Sequence, residues 1–262
     1  IESHYYPRFA GDHLPPSAEA STVALADRFD TLVGIFGIGQ PPTGSKDPFA
    51  LRRASLAVIR ILIDQQKPAS LHALLDQAVT QHSAALQPDT VGVVQQYILD
   101  RLGNWYDDEG IHISVLRAVL ATGTDDLFDI DLRVRALAGF AQTETAEHLA
   151  AANKRVANIL AKADSLDDEQ PDPSVFTEEA EAALYDAVKA ADEAVEPLLS
   201  ERSYQDALDE LAKLRGPVDA FFKHVMVNSE IPEERQNRYR LLYRLRLLFT
   251  QLADLALLAV AE

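Results

Sequence analysis

The sequence predicts an all-α fold, and three observations support that prediction. Nearly every segment repeats its apolar residues with the period of a helix, and almost none alternates with the period of two that strands show. The connections are short and contain helix-breaking residues, such as Pro68 and Pro232. The composition, 47% hydrophobic and 25% charged over 262 residues, is typical of a globular protein with a substantial core.

The pattern predicts a succession of helices, each with an apolar face that needs a partner in the core. The predicted ranges, in chain order, are 18–37, 48–66, 70–85, 89–106, 112–121, 126–141, 144–163, 177–198, 203–224 and 233–260. Ser70, Asp89 and Ser203 stand at helix starts, where their side chains can accept hydrogen bonds from free N–H groups. Pro88 and Gly123 break the chain between helices. The acidic connector 164–174 is interpreted as a loop within a helical bundle.

The loop after the first predicted helix, GIGQPPTGSKDP, has only a partial likeness to a phosphate-binding loop. That motif needs a lysine directly after its second glycine, whereas Ser45 separates Gly44 from Lys46. Pro41 and Pro42 also lack the N–H groups that would bind phosphate. We therefore predict a rigid link between two helices and no nucleotide site.

The second helix is predicted to start at Asp47 and Pro48. The carboxylate can cap free N–H groups, and a proline at the first helical position loses no hydrogen bond. The residues that follow are strongly apolar but include Arg52, Arg53 and Arg60.

Several classes of protein are disfavoured by composition. The chain contains no cysteine, which excludes disulfides and Cys-ligated metals and fits a reducing cytosol. No run reaches the roughly 18 uncharged apolar residues that a membrane span needs. The chain opens at Ile1 without a basic-then-apolar leader, so we expect no secretion signal and a chain cut from a longer polypeptide. No Gly-x-Ser-x-Gly nucleophile motif is present.

A metal site near the amino end is one open alternative. Asp27 and Asp30 share a helix face. The surrounding ALADRFDTL resembles a helix of HD-type metal phosphohydrolases, which would imply bound Mn or Mg. The candidate donors are His4, Asp12, His13, Asp27 and Asp30. The His-Asp pair that those enzymes need is absent, since the adjacent pair here is reversed. The other interpretation is that the two aspartates are solvated or paired with Arg28 and Lys46.

The charge is distributed unevenly. A formal net charge of −17 argues against non-specific binding of nucleic acid. Nevertheless, five arginines lie close together on the last predicted helix, at Arg235, Arg238, Arg240, Arg244 and Arg246. Four of them flank a leucine stripe that is expected to pack on a core, and Arg238 falls near the centre of that stripe. Two interpretations are open: ion pairs with the acidic segment 177–214, or a surface that faces RNA.

Three stretches carry a resemblance to a known family. They are LADRFDTLVGIFGIGQPPTGSKDPFALRRASLAVIRIL, LAAANKRVANILAKAD and GPVDAFFKHVMVNSEIPEERQNRYRLLYRLRLLF. Together they resemble the C-terminal part of the β subunit of the bacterial-type heterotetrameric glycyl-tRNA synthetase. The last two stretches also resemble the anticodon-binding helical bundle named for an Asp-Ala-Leu-Arg motif. The tetrapeptide itself does not occur, because Asp209 follows Leu208 where the motif has arginine.

The resemblance implies both an architecture and a role. Residues 1–140 would form the end of an HD-like helical domain, and 141–262 the DALR-type bundle. The chain would be a fragment of a cytoplasmic ligase, binding glycine tRNA and the α subunit in a tetramer of two α and two β subunits. It would hold no cofactor and no catalytic residue, since ATP, magnesium and glycine would bind at the α subunit.

Seven residues are predicted to contact tRNA. Arginines would bind phosphates and stack on unpaired bases, and the turn before the last helix would add further polar groups. The predicted residues are Lys223, His224, Asn228, Arg235, Arg238, Arg240 and Arg244.

Overall fold

A computed structural model describes residues 2–9, 11–83, 85–163 and 166–259. These residues form α-helices and short 3₁₀-helices, without a named strand in the described part of the chain. The all-α prediction is confirmed. The α-helices are α1 (Ala18–Gly37), α2 (Leu51–Asp64), α3 (Leu71–Gln81), α4 (Thr90–Asp108), α5 (Ile113–Leu120), α6 (Leu127–Phe140), α7 (Glu144–Leu160), α8 (Glu179–Ser200), α9 (Tyr204–Ala212), α10 (Arg215–His224) and α11 (Pro232–Thr250), and the 3₁₀-helices are Glu2–Tyr5, Pro173–Val175 and Leu255–Leu257.

The predicted helix 203–224 is divided in the structure, and the predicted helix 233–260 is shortened. The predicted helix 203–224 is two helices, α9 and α10, because Pro217 lacks the N–H that would bond to the carbonyl of Lys213. The predicted helix 233–260 stops at Thr250. Beyond it, Arg133 donates to the carbonyls of Gln251 and Leu252 at 2.6 and 3.0 Å. Position 260 lies outside the described residues.

The start of α2 also differs from the prediction. The helix begins at Leu51 rather than at Pro48, after Ala50 in a left-handed conformation with φ 55°. Asp47 still caps it, since its carboxylate accepts from the N–H groups of Leu51 and Arg52 at 2.8 and 3.0 Å.

Of the three predicted caps, one forms the expected bond. The hydroxyl of Ser70 accepts from the N–H of Ala73 at 3.1 Å. Asp89 and Ser203 occupy N-cap positions, but their side chains make no capping bond.

Packing divides the chain into two units, and the first comprises residues 1–110 and 125–131. In this unit α1 packs against α2, α3 and α4. Fully buried residues such as Leu32, Ile59 and Leu102 form its core. Arg28 is buried and donates to the carbonyls of the segment 4–7, which holds that segment on α1.

The second unit comprises residues 111–124 and 132–262. Here α7 packs against α10 and α11, and α8 packs against α9, α10 and α11. Buried aromatic and leucine side chains, including Phe221, Leu245 and Phe249, fill the centre. The packing boundary falls within α6, at 131/132. The domain division at residue 140 stays a prediction.

No helix in the described ranges combines the length and apolarity needed to cross a bilayer.

Candidate nucleic-acid interface

Arg238, predicted to face tRNA, is instead buried in the helical bundle. Its side chain is 5% exposed, and its Nε lies 2.8 Å from Oε1 of Glu181, which is 1% exposed. Its other nitrogens donate to the carbonyl of Met226 and the hydroxyl of Thr177. Arg238 therefore joins the start of α8, the α10–α11 loop and α11, and its guanidinium is not exposed at the protein surface.

Glu181 has two structural roles in this contact. Besides pairing with Arg238, its carboxylate accepts from the backbone N–H groups of Thr177 and Glu178 and completes the cap of α8. Burial acts to raise the pKa of Glu181, but the hydrogen bonds from Arg238 and the two N–H groups outweigh burial and lower that pKa. Glu181 is consequently ionised at neutral pH and forms an ion pair with Arg238.

Arg240 and Arg244 are occupied by a short acidic segment, here called the acidic strap, residues 167–169. Arg240 makes two hydrogen bonds with Asp167, at 2.7 and 2.8 Å, and pairs with Glu169. Arg244 lies 3.0 Å from Asp168. The hydrogen bonds from Arg240 lower the pKa of Asp167 to about 2. Residues 164–165 of the predicted connector lie outside the described residues.

Arg246, the last arginine of the cluster, is also paired. Its guanidinium lies 2.6 Å from the carboxylate of Asp254. Asp254 in turn accepts from the N–H of Ala256 and starts the 3₁₀-helix Leu255–Leu257. Four of the five arginines are thus ion-paired, but only Arg238 pairs within the predicted segment 177–214. The other three pair with carboxylates at 167–169 and at 254.

Arg235 is different, because its side chain lines an open groove, here called the cationic groove. This groove has a volume of about 700 Å³. Its lining residues are Ala151, Lys154, Arg155, Asn158, Ile159, Lys162, Asn228, Arg235 and Tyr239. Four of them are cations, and within the described ranges no Asp or Glu lines the groove.

One face of α7 and the residues just beyond it provide most of the cationic groove. Positions 151, 154, 155, 158, 159 and 162 follow the spacing of a single helix face. Lys154, Arg155 and Lys162 are exposed, and in the described part of the chain neither they nor Arg235 form an ion pair. The guanidinium of Arg155 lies 4.1 Å from the centre of the Phe222 ring. A cation on an aromatic ring keeps its planar face open to a further stacked group.

The α10–α11 loop supplies the opposite side of the groove. Asn228 accepts a hydrogen bond from the hydroxyl of Tyr239 at 2.9 Å, and Arg235 donates to the carbonyl of Ser229 at 2.9 Å. Ser229 in turn donates to Glu234. These bonds hold Asn228 and Arg235 at the groove while leaving polar atoms for a ligand.

The structure therefore separates the seven predicted residues into three groups. Arg235 and Asn228 lie in the cationic groove. Lys223 and His224 are exposed at the end of α10. The last group is bound to carboxylates and consists of Arg238, Arg240 and Arg244.

Sequence reasoning missed Lys154, Arg155 and Lys162. All three occur in the resembling stretch LAAANKRVANILAKAD. The signal that could have found Lys154 and Lys162 is their spacing with Asn158, along α7 and the residues just beyond it. Residues four apart share a helix face, and positions 154, 158 and 162 of this face hold lysine or asparagine and no acidic residue.

The candidate metal donors near the amino end are not brought together. Asp30 lies 3.2 Å from His82, and Asp12 pairs with Arg8 at 2.9 Å. Hydrogen bonds from Arg8 are the main cause that lowers the pKa of Asp12. Among described residues, no group of three or more His, Asp or Glu has an arrangement that could hold a metal.

Two family models match different parts of the chain. Residues 149–260, which contain the cationic groove, match the family model described as DALR anticodon binding domain. Residues 1–121 match the model described as glycyl-tRNA synthetase beta subunit.

Individual relatives extend the likeness over nearly the whole chain. The chain is 49% identical to the glycine–tRNA ligase beta subunits of Haemophilus influenzae and Pasteurella multocida, and 48% identical to that of Pseudomonas putida. Each match covers 98% of this chain and 38% of the relative's length.

The fold and the groove thus define an all-α protein with a DALR-type anticodon-binding domain. More narrowly, the chain belongs to the family of glycyl-tRNA synthetase β subunits, of whose length it spans a little over a third. The predicted family is confirmed. The HD-like character of the first region stays a prediction.

Proposed function

We propose that this chain is the part of a glycine–tRNA ligase β subunit that binds the anticodon arm of glycine tRNA, and that the cationic groove is its binding surface. The observation that carries the proposal is the position of the groove. It lies inside the DALR-type domain and presents four cations without a carboxylate in its described lining. A local cationic surface on a chain of net charge −17 is suited to a polyanion that the rest of the surface repels.

The groove offers two kinds of contact to an RNA loop. Lys154, Lys162 and Arg235 are suited to phosphates, because their charge is not already matched by a carboxylate. Asn158 and Asn228 present amides that can read base edges, and Arg155 on Phe222 offers a flat surface for an unstacked base. Lys223 and His224 would extend the cationic surface along the RNA backbone.

The partner chain, the small-molecule substrates, the subunit composition and the cellular location are inferred from the family and are part of the proposal. The names of the relatives include the word subunit, which supports a partner chain. We place ATP, magnesium and glycine at that α subunit, and we assign the assembly two α and two β subunits in the cytoplasm. The metal phosphohydrolase alternative is not favoured, because residues 1–121 match a synthetase subunit and no three His, Asp or Glu among the described residues are grouped to hold a metal.

Binding of a labelled glycine tRNA transcript, measured by fluorescence anisotropy at several salt concentrations, tests this proposal. The variant Lys154→Gln, Lys162→Gln, Arg235→Gln should bind at least about tenfold more weakly, with a salt slope reduced by roughly 2, since each phosphate contact contributes about 0.7 to 0.9 to that slope. A second tRNA, with a different anticodon, should bind more weakly than glycine tRNA.

A matched control keeps the total charge change the same. Arg117→Gln, Lys189→Gln, Lys213→Gln removes three cations outside the groove lining. This control should retain affinity within about twofold, as expected for charges that do not touch RNA. Equal weakening by both triple variants would show a general charge effect and refute the groove.

A further inference from the structure

A second groove, here called the arginine–tryptophan groove, lies in the first unit and has a volume of about 640 Å³. One face of α2 forms one wall, with Arg53, Leu56, Arg60 and Asp64 at helical spacing. Arg52 also lines it. The wall therefore combines three arginines with an apolar side chain that is 37% exposed.

One face of α4 forms the other wall. Arg101, Asn104, Trp105 and Asp108 share that face, because Asn104 and Trp105 each lie three or four residues from both Arg101 and Asp108. The segment before α1 closes one end with Phe9, which is 60% exposed. Aromatic residues and arginine are the types most enriched in protein–protein interfaces and in their energetic hot spots.

Three N–H donors in this groove are buried without an acceptor. They are Nη1 of Arg60, Nε of Arg101 and Nε1 of Trp105, and each has almost no solvent-exposed area and no hydrogen bond. Buried donors are nearly always paired in folded proteins, so three in one groove are unusual. Oxygen acceptors placed between α2 and α4 would satisfy them once these side chains turn toward the groove, because the three nitrogens are closed to solvent in this conformation.

We propose that the arginine–tryptophan groove docks an acidic segment of a partner polypeptide, in which carboxylates alternate with apolar side chains. The carboxylates would bind Arg53 and Arg101 and compete with Asp64, which lies 3.6 Å from Arg60, since Arg–carboxylate geometry is well suited to such pairs. The apolar side chains would pack on Leu56, Phe9 and the Trp105 ring.

The lining favours a polypeptide over RNA. Asp64 and Asp108 stand at the same walls as the arginines and limit the length of uninterrupted positive surface. One or two carboxylates fit such a surface, whereas a run of phosphates would meet the aspartates. The exposed apolar side chains also gain more from a protein segment, which can bury them, than from a phosphodiester backbone.

The chain's single tryptophan makes the groove directly observable, because Trp105 is the only indole that fluoresces. The full chain is titrated with a short synthetic peptide that alternates glutamate with leucine. A matched peptide with glutamine in place of glutamate, and polyuridine RNA, form the other arms. We expect a saturable change in Trp105 fluorescence with the acidic peptide and at least about tenfold weaker binding of the glutamine peptide.

Substitutions of single arginines test whether the acidic peptide binds in the arginine–tryptophan groove. Arg101→Gln and the exposed-site variant Arg53→Gln should each weaken the acidic peptide about tenfold, whereas Arg117→Gln should leave its affinity unchanged. Circular dichroism verifies the fold of each variant, and Arg53→Gln keeps the test decisive if Arg101→Gln unfolds.

Three outcomes would overturn the proposal. One is the absence of a saturable response to the acidic peptide, and another is equal binding of the glutamine peptide. The third is polyuridine binding that is as tight as the peptide and equally sensitive to Arg53→Gln, which would reassign the groove to RNA.

Discussion

The arginines of α11 and the cations of the cationic groove carry the same charge in opposite surroundings. Arg240 and Arg244 are matched by the acidic strap, and Arg238 by a buried glutamate. Lys154 and Lys162, by contrast, are exposed and line a groove without carboxylates in its described part. A dense arginine cluster is therefore a poor guide to a binding surface, because nearby carboxylates decide how much of its charge is available.

The two kinds of pairing within α11 also differ. The Arg238–Glu181 pair is buried, so neither ion can be solvated if its partner is lost. In the acidic strap the carboxylates are 39%, 79% and 69% exposed for Asp167, Asp168 and Glu169. Exposed pairs contribute little to stability and can exchange partners. Arg238 is accordingly structural, whereas we expect another polyanion to displace the acidic strap.

The largest expected effect tests the structural assignment of Arg238. Arg238→Met should lower the free energy of unfolding by about 3 to 5 kcal/mol, because it leaves Glu181 ionised and buried without its partner. Urea denaturation measures this change, and Lys223→Met should alter stability by no more than about 0.5 kcal/mol. If Arg238→Met were as stable as the wild type but bound tRNA weakly, Arg238 would belong to the RNA surface after all.

The second-largest expected effect is a difference in tRNA affinity between variants of the α11 arginines and variants of the cationic groove. Arg240→Gln with Arg244→Gln should change the affinity for glycine tRNA by less than about threefold, whereas Lys154→Gln with Lys162→Gln should reduce it about tenfold. The two double variants remove the same charge, so electrophoretic mobility shift at one salt concentration is sufficient. The reverse order of effects would place the RNA on α11 and contradict the cationic groove.

Neutralising the acidic strap should produce a smaller change in the opposite direction. Asp167→Asn, Asp168→Asn, Glu169→Gln releases Arg240 and Arg244, and we expect tRNA affinity to rise about threefold with a steeper salt dependence. Neutralising three acids at Asp186, Glu193 and Glu196 of α8 controls for net charge. An equal gain in the control would mean that the strap has no specific effect.

The smallest expected effect is the change in the pKa of Asp167 when Arg240 is substituted. A folded-state pKa of about 2 lies below the unfolded value, so the Asp167–Arg240 pair is intact above about pH 4 and is lost as the pH falls through 2. Carboxyl-carbon NMR should show this low pKa. In Arg240→Gln the value should return toward about 3.9, and an unchanged titration would show that Arg240 is not its cause.

Local sequence patterns predicted helices better than they predicted surfaces. The range 18–37 and the cap at Ser70 were predicted correctly, because both depend on neighbouring residues. The break between α9 and α10 was missed, although Pro217 marks it, because leucine periodicity continues across it. In the candidate site, Arg235 and Asn228 were predicted, while Lys154 and Lys162 were not, since their grouping depends on how α7 packs beside α11.

By itself, the amino-acid sequence determined the helical class, most helix positions and the family, because apolar period, caps and long matching stretches are recorded in the order of residues. Only the tertiary structure decided which cations are available. Arg238 meets Glu181, and Arg240 meets Asp167, across more than fifty residues of intervening chain. Coulombic pairing depends on distance in space, and that distance is set by the packing of the bundle.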